Sequence, residues 1–90
     1  MPKFVIERDM PAVGKLSASD LRSASQKSCG VLGTLGSKIQ WIQSYVTDDR
    51  IYCVYLAADE GLVRRHAEMS GFPADRISQV RSIIEPATAE

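Results

Sequence analysis

One histidine, His66, and two cysteines, Cys29 and Cys53, are the chain's only imidazole and thiol groups. Imidazole changes charge near neutrality, so His66 is the first candidate for proton transfer or metal ligation. The plainer role for it is a packed, hydrogen-bonded side chain on the inner face of a helix. Glu7 and Asp9 lie two apart in a segment that reads as a strand, so their carboxylates point to one face and Arg8 to the other. A carboxylate buried on a central strand must be paired, metal-bound or protonated. Asp9 falls near the solvated end of the strand, which makes Glu7 the more informative of the two. An open metal site would combine His66 with Glu7, Asp9 or Glu68, or with groups from a second copy, and leave water at the remaining positions. Imidazole with oxygen donors suits nickel, copper and zinc alike. The cysteines have no CxxC spacing and His66 belongs to no HExxH motif, which excludes a closed structural zinc site.

No serine or cysteine stands in a nucleophile motif, so no catalytic residue is assigned and a non-enzymatic role is preferred. Cys53, in mid-strand, reads as an inert thiol. Gly30, Gly33 and Gly36 close a helix instead of opening one after a strand, and so do not form a dinucleotide fingerprint. Trp41, Tyr45 and Tyr52 are aromatic residues on strands, expected to face a cavity or a partner, with Cys53 beside them as a pocket residue.

Elements to position these groups are written along the chain. Residues 3 to 9 read as a first strand ended by Met10-Pro11-Ala12-Val13-Gly14. Ser17 or Ser19 can cap a helix in which Leu21, Ala24, Ser28, Val31, Leu32 and Leu35 recur at three- and four-residue steps, with Gly36 as its stop. Gly30 and Gly33 inside that helix are expected to serve close packing on the sheet. Residues 38 to 47 and 50 to 57 read as two strands around an Asp48-Asp49 turn. Asp59 caps a second helix, with Leu62, Val63, His66 and Ala67 inward, ended by Gly71 and Pro73. Residues 76 to 84 read as a fourth strand, and the tail 86 to 90 as extended or loose.

The resulting order, β-α-β-β-α-β, is the split βαβ pattern of an α+β, ferredoxin-like domain over residues 1 to 85, with both helices on one face of a four-stranded antiparallel sheet. Counting back from a two-residue turn, Trp41, Gln43 and Tyr45 share a face with Tyr52, Val54 and Leu56. Ile42, Ser44 and Val46 then share the other with Ile51, Cys53 and Tyr55. Both faces carry apolar side chains and two helices cover one, which predicts a face-to-face homodimer of the dimeric α/β-barrel type.

Ninety residues allow one small domain, and 44% hydrophobic with 24% charged residues is an ordinary globular balance. Eleven basic and eleven acidic residues give no field to attract nucleic acid or anionic lipid. The first residues reach charge after three apolar positions, so no signal peptide is read there, and no run is long enough to span a membrane; the cytoplasm, with reduced thiols, is the expected compartment.

Met1-Pro2-Lys3-Phe4-Val5-Ile6-Glu7-Arg8, Tyr45-Val46-Thr47, Tyr52-Cys53-Val54-Tyr55, His66-Ala67 and Gly71-Phe72-Pro73-Ala74-Asp75-Arg76-Ile77 together resemble a bacterial family of small proteins described as nickel-binding or of unknown function. The resemblance covers nearly the whole chain. It implies a ferredoxin-like fold, a homodimer, and binding of nickel or another divalent metal for sequestration or homeostasis. It further implies that His66 and Glu7 are ligands or pocket residues, and that Gly71, Pro73, Asp75 and Arg76 form a turn and a local ion pair. The alternative function is a small-molecule binder or cofactor-free enzyme with a pocket near His66.

Overall fold

In the computed structural model, which describes residues 1–90, four strands and two helices follow the order expected from the sequence. Strand β1 is Lys3–Asp9, helix α1 Ala18–Leu35, β2 Ile39–Val46, β3 Arg50–Ala57, helix α2 Glu60–Ser70 and β4 Arg76–Gln79. Every pairing is antiparallel, in the spatial order β2-β3-β1-β4. This is the ferredoxin-like α+β arrangement.

Each helix is bounded by local chemistry. Ser17 and Asp20 form a reciprocal capping box at the start of α1, and Gly36 follows its last turn at φ 90°. Asp59 accepts the Leu62 amide at the start of α2, and Gly71, at φ 73°, takes the left-handed turn that ends it. The period of two on β1 sends Phe4, Ile6 and Arg8 inward and leaves Lys3, Val5, Glu7 and Asp9 on the other face. Phe4 and Ile6 join Ile39, Cys53, Tyr55, Ala57 and Val63 in the core between sheet and helices.

Three expectations are corrected. The β2–β3 register shifts between Trp41 and Gln43, so Ile42 is an extra, unpaired residue. Trp41 therefore lies opposite Tyr55, on the face beneath the helices, and not with Tyr45 and Tyr52. The fourth strand stops at Gln79 instead of residue 84, because its partner β1 begins at Lys3; the Val80 amide makes the last cross-strand bond, to the Lys3 carbonyl. The tail beyond it contains a 3-10 turn at Pro86–Ala89 with no buried residue. Finally, Gly30 and Gly33 face open space, with no atom within 4 Å of where a Cβ would stand, so close packing does not explain them. The glycine that does allow a close approach is Gly14. A Cβ there would lie 2.8 Å from the Asp48 Cα and the Thr47 carbonyl oxygen, in the short turn Val13–Lys15 that docks on the β2–β3 hairpin.

Candidate functional site

Arg8 is the most unusual side chain in the protein. It extends from β1 into the layer between sheet and helices, is 2% exposed, and is paired with no carboxylate: the ion pairs of the chain are Arg50–Asp9, Arg64–Glu60 and Arg76–Glu7. An uncompensated charge in such a place costs several kcal/mol even after relaxation. Arg8 Nη1 donates to the Pro73 carbonyl at 2.7 Å, Nε to Cys53 Sγ at 3.4 Å and Nη2 to Tyr55 Oη at 3.5 Å. Phe72 lies beneath the guanidinium, 5.7 Å from ring centroid to Cζ, within cation–π range. A guanidinium has five N–H groups; two are left over.

Arg8 borders a cavity of about 90 Å³ between α1 and the sheet. Its walls are mostly apolar, from Met10, Leu16, Leu21, Val46, Ile51 and Phe72, with Trp41 and Tyr55 from the strands. Its polar lining, besides Arg8, comes from Ser25, Ser28 and Ser44. Ser44 Oγ accepts from Trp41 Nε1 at 2.9 Å, which leaves its own proton free to be donated. Leu16 and Val46 at the rim remain partly exposed.

His66 adjoins this cavity without lining it. It is fully buried on the inner face of α2, with Nε2 3.0 Å from Ser28 Oγ and 3.4 Å from Ser70 Oγ, and its ring 5.1 Å from that of Tyr55. Nδ1 has no partner. Burial, and then the positive charge of Arg8, push the imidazole pKa below its ordinary 6.5, against the smaller opposing effect of its Ser28 hydrogen bond. The neutral tautomer that donates from Nε2 to Ser28 fits the site, since protonation would place a second N–H at Nδ1 with nothing to receive it. Burial likewise raises the Tyr55 pKa, so its phenol stays protonated beside Arg8.

The sequence-derived metal candidates are separated by the sheet. His66 is on the helix side, whereas Glu7 and Asp9 project from the open side, where Glu7 is 3.7 Å from Arg76 and Asp9 is 2.9 Å from Arg50. Glu7 is thus on a face without helices, paired with an arginine. Asp75 does not pair with Arg76 next to it: its carboxylate accepts the Asp9 backbone amide at 2.6 Å. Glu68 is exposed on α2. No three histidine, cysteine, aspartate or glutamate side chains converge in one chain, so a single chain does not supply the donor set of a nickel centre.

Of the expected pocket residues, Trp41 and Cys53 line the cavity. Tyr45 and Tyr52 face each other across β2 and β3 on the open side of the sheet. Arg8 was missed as a site residue. The signal for it was in the sequence, since an arginine two positions beyond Phe4 and Ile6 must share their inward face.

Residues 4–80 match the family described as "Nickel responsive protein SCO4226-like". No curated protein matches the chain. The crystal structure of SCO4226 from Streptomyces coelicolor A3(2) superposes with a TM-score of 0.76 at 21% identity, over 91% of this chain and 99% of that one. At that identity the likeness establishes the ferredoxin-like fold. No helix is long and apolar enough to cross a membrane.

Proposed function

The chain belongs to the SCO4226-like family of nickel-responsive proteins, and from that premise we propose that it is a small non-enzymatic homodimer that binds a divalent metal such as nickel, in sequestration or homeostasis. The observation that carries this reading is the open face of the sheet. Val5, Tyr52, Val54 and Leu56 form an apolar band there with no helix over it, and Glu7 and Asp9 stand in the same row of β1. A second copy laid on the band would bring further oxygen donors toward these carboxylates, which the donors of one chain do not achieve alone. Their present partners are arginines in exposed, solvent-screened pairs, so a divalent ion can displace them. Oxygen donors with water in the open positions suit magnesium or calcium as well as nickel or zinc. Calorimetry with nickel, zinc and magnesium therefore tests the reading. Nickel binding that weakens in Glu7→Gln and Asp9→Asn, and persists in His66→Gln, is the expected result. No heat at micromolar nickel overturns it.

The cavity favours a second and compatible reading, that the protein also binds a small molecule between α1 and the sheet. Its support is a partly apolar recess with convergent polar groups, the usual make-up of a ligand pocket.

A further inference from the structure

We propose that the cavity between α1 and the sheet is a receptor for a small organic monocarboxylate, held by Arg8 and Ser44. The inference deepens the small-molecule reading and is independent of metal binding. Three observations converge on it. Arg8 is almost wholly buried, yet no acidic side chain of the chain neutralises it. Its bonds to Pro73, Cys53 and Tyr55 account for three of five donors, so one N–H on each terminal nitrogen stays uncommitted, and Arg8 is part of the cavity wall. A guanidinium with one donor free on each terminal nitrogen is a group that a carboxylate can engage in bidentate fashion. Ser44, already accepting from Trp41, has its proton left to give to the same anion.

The rest of the cavity sets the ligand's other end. Met10, Leu16, Leu21, Val46 and Ile51 offer apolar contact and no further charge. A dianion would therefore leave one charge uncompensated among mostly apolar walls, which selects against dicarboxylates and phosphates. About 90 Å³ is less than the 150 Å³ or so of an engineered cavity that accepts benzene. Ligands on the scale of propionate or butyrate fit the enclosed part, and a longer apolar tail would emerge past Leu16 and Val46. Neighbouring groups are compatible with an anion: Tyr55 is held as the neutral phenol and His66 as the neutral imidazole. A bound carboxylate would offset the Arg8 field at His66, so occupancy has a second, spectroscopic signature at the ring.

The test is titration of the full chain with butyrate, with the near-isosteric neutral butyramide and with succinate. Binding would be followed by calorimetry and by the fluorescence of Trp41, the only tryptophan. Expected is saturable butyrate binding at least tenfold tighter than either comparison ligand, with an upward shift of the His66 titration in nuclear magnetic resonance. Arg8→Met should remove the preference for butyrate over butyramide. Because that variant alters a buried position, two milder ones accompany it: Ser44→Ala, expected to weaken butyrate several-fold, and Ala24→Leu, which fills the cavity from the α1 side and should abolish binding in a folded protein. Equal affinity for butyrate and butyramide would overturn the carboxylate assignment while leaving a small-molecule pocket in place. Absence of binding by all three ligands, or butyrate binding that survives Ala24→Leu unchanged, would overturn the cavity as a receptor altogether.

Discussion

A neutral imidazole and a charged guanidinium are buried within one layer, and each constrains the other. His66 has its pKa lowered first by burial and then by Arg8. The unfolded chain, with its histidine near 6.5, therefore binds a proton before the folded chain does as the pH falls. Stability is full above about pH 6.5 and declines as the pH drops from there toward the depressed folded pKa. Carboxylates titrate mainly below about pH 5, so a decline that begins above that range belongs to the single histidine. Urea unfolding midpoints between pH 8 and pH 5 should show this slope, and His66→Gln should flatten it whatever it costs in absolute stability. A slope unchanged in His66→Gln would mean that some other group controls the acid limb. Arg8 carries the opposite kind of signature. Arg8 has hydrogen-bond partners but no counter-ion, and an apolar side chain spares the desolvation cost of a buried charge, so Arg8→Met is expected to be at least as heat-stable as the parent in the absence of ligands. The parent's arginine would then be a group kept for function at the expense of stability.

At the scale of the elements, glycine positions separate what a helix needs from what it tolerates. Gly30 sits inside α1 and Gly33 in its last turn, both exposed, with open space where a Cβ would go. Alanine at each should stabilise the protein by about 0.5–1 kcal/mol, measured as a higher denaturant midpoint at unchanged slope. Gly14→Ala should do the reverse and cost about 1–3 kcal/mol, since the added carbon would meet Asp48 backbone at 2.8 Å. The same contrast marks what the sequence discloses. Strand and helix order, both helix caps and the hairpin turn were legible because each is written in local residue types: Ser17 with Asp20, Asp59, Gly71, and Asp48-Asp49. The face of Trp41 was not, because parity counted from the turn assumes an unbroken ladder. One extra residue at Ile42 reverses every side chain beyond it. Nor was the cavity legible, because it depends on how α1 lies over β2 and β3, and no spacing within either element encodes that. The inward side of Arg8 was readable from Phe4 and Ile6, whereas its lack of an acidic partner is a property of the folded chain alone.

The molecule as a whole has more surface than a compact monomer of its mass needs. A folded monomer of 9.9 kDa is expected to expose about 5,200 Å², and this chain exposes 5990 Å². Its radius of gyration is 13.8 Å, against about 12 Å for 90 residues in a compact domain. Part of the excess is the segment after β4, where Ile83 and Ile84 are 66% and 81% exposed. The helix-free side of the sheet adds apolar exposure of its own, with Tyr45 at 55% and Val5, Tyr52, Val54 and Leu56 half-buried. The difference from the monomer expectation, the segment after β4 included, is about 800 Å², on the scale of what each partner buries in a standard interface. A homodimer formed through this face is accordingly expected, and it would also bring the Glu7 and Asp9 rows near a second chain. Sedimentation at micromolar concentration should give a species of about 20 kDa, and dilution should reveal the monomer only if the association is weak. Val54→Asp is the discriminating variant. Val54 pairs with Val5 across β1 and β3 at the centre of the open face, so a charge there repels a second copy while the core on the other side of the sheet is untouched. A folded Val54→Asp monomer of about 10 kDa, with the parent at twice that mass, would locate the contact. A parent that sediments as a 10 kDa monomer at micromolar concentration would remove the dimer and, with it, the shared setting proposed for the metal.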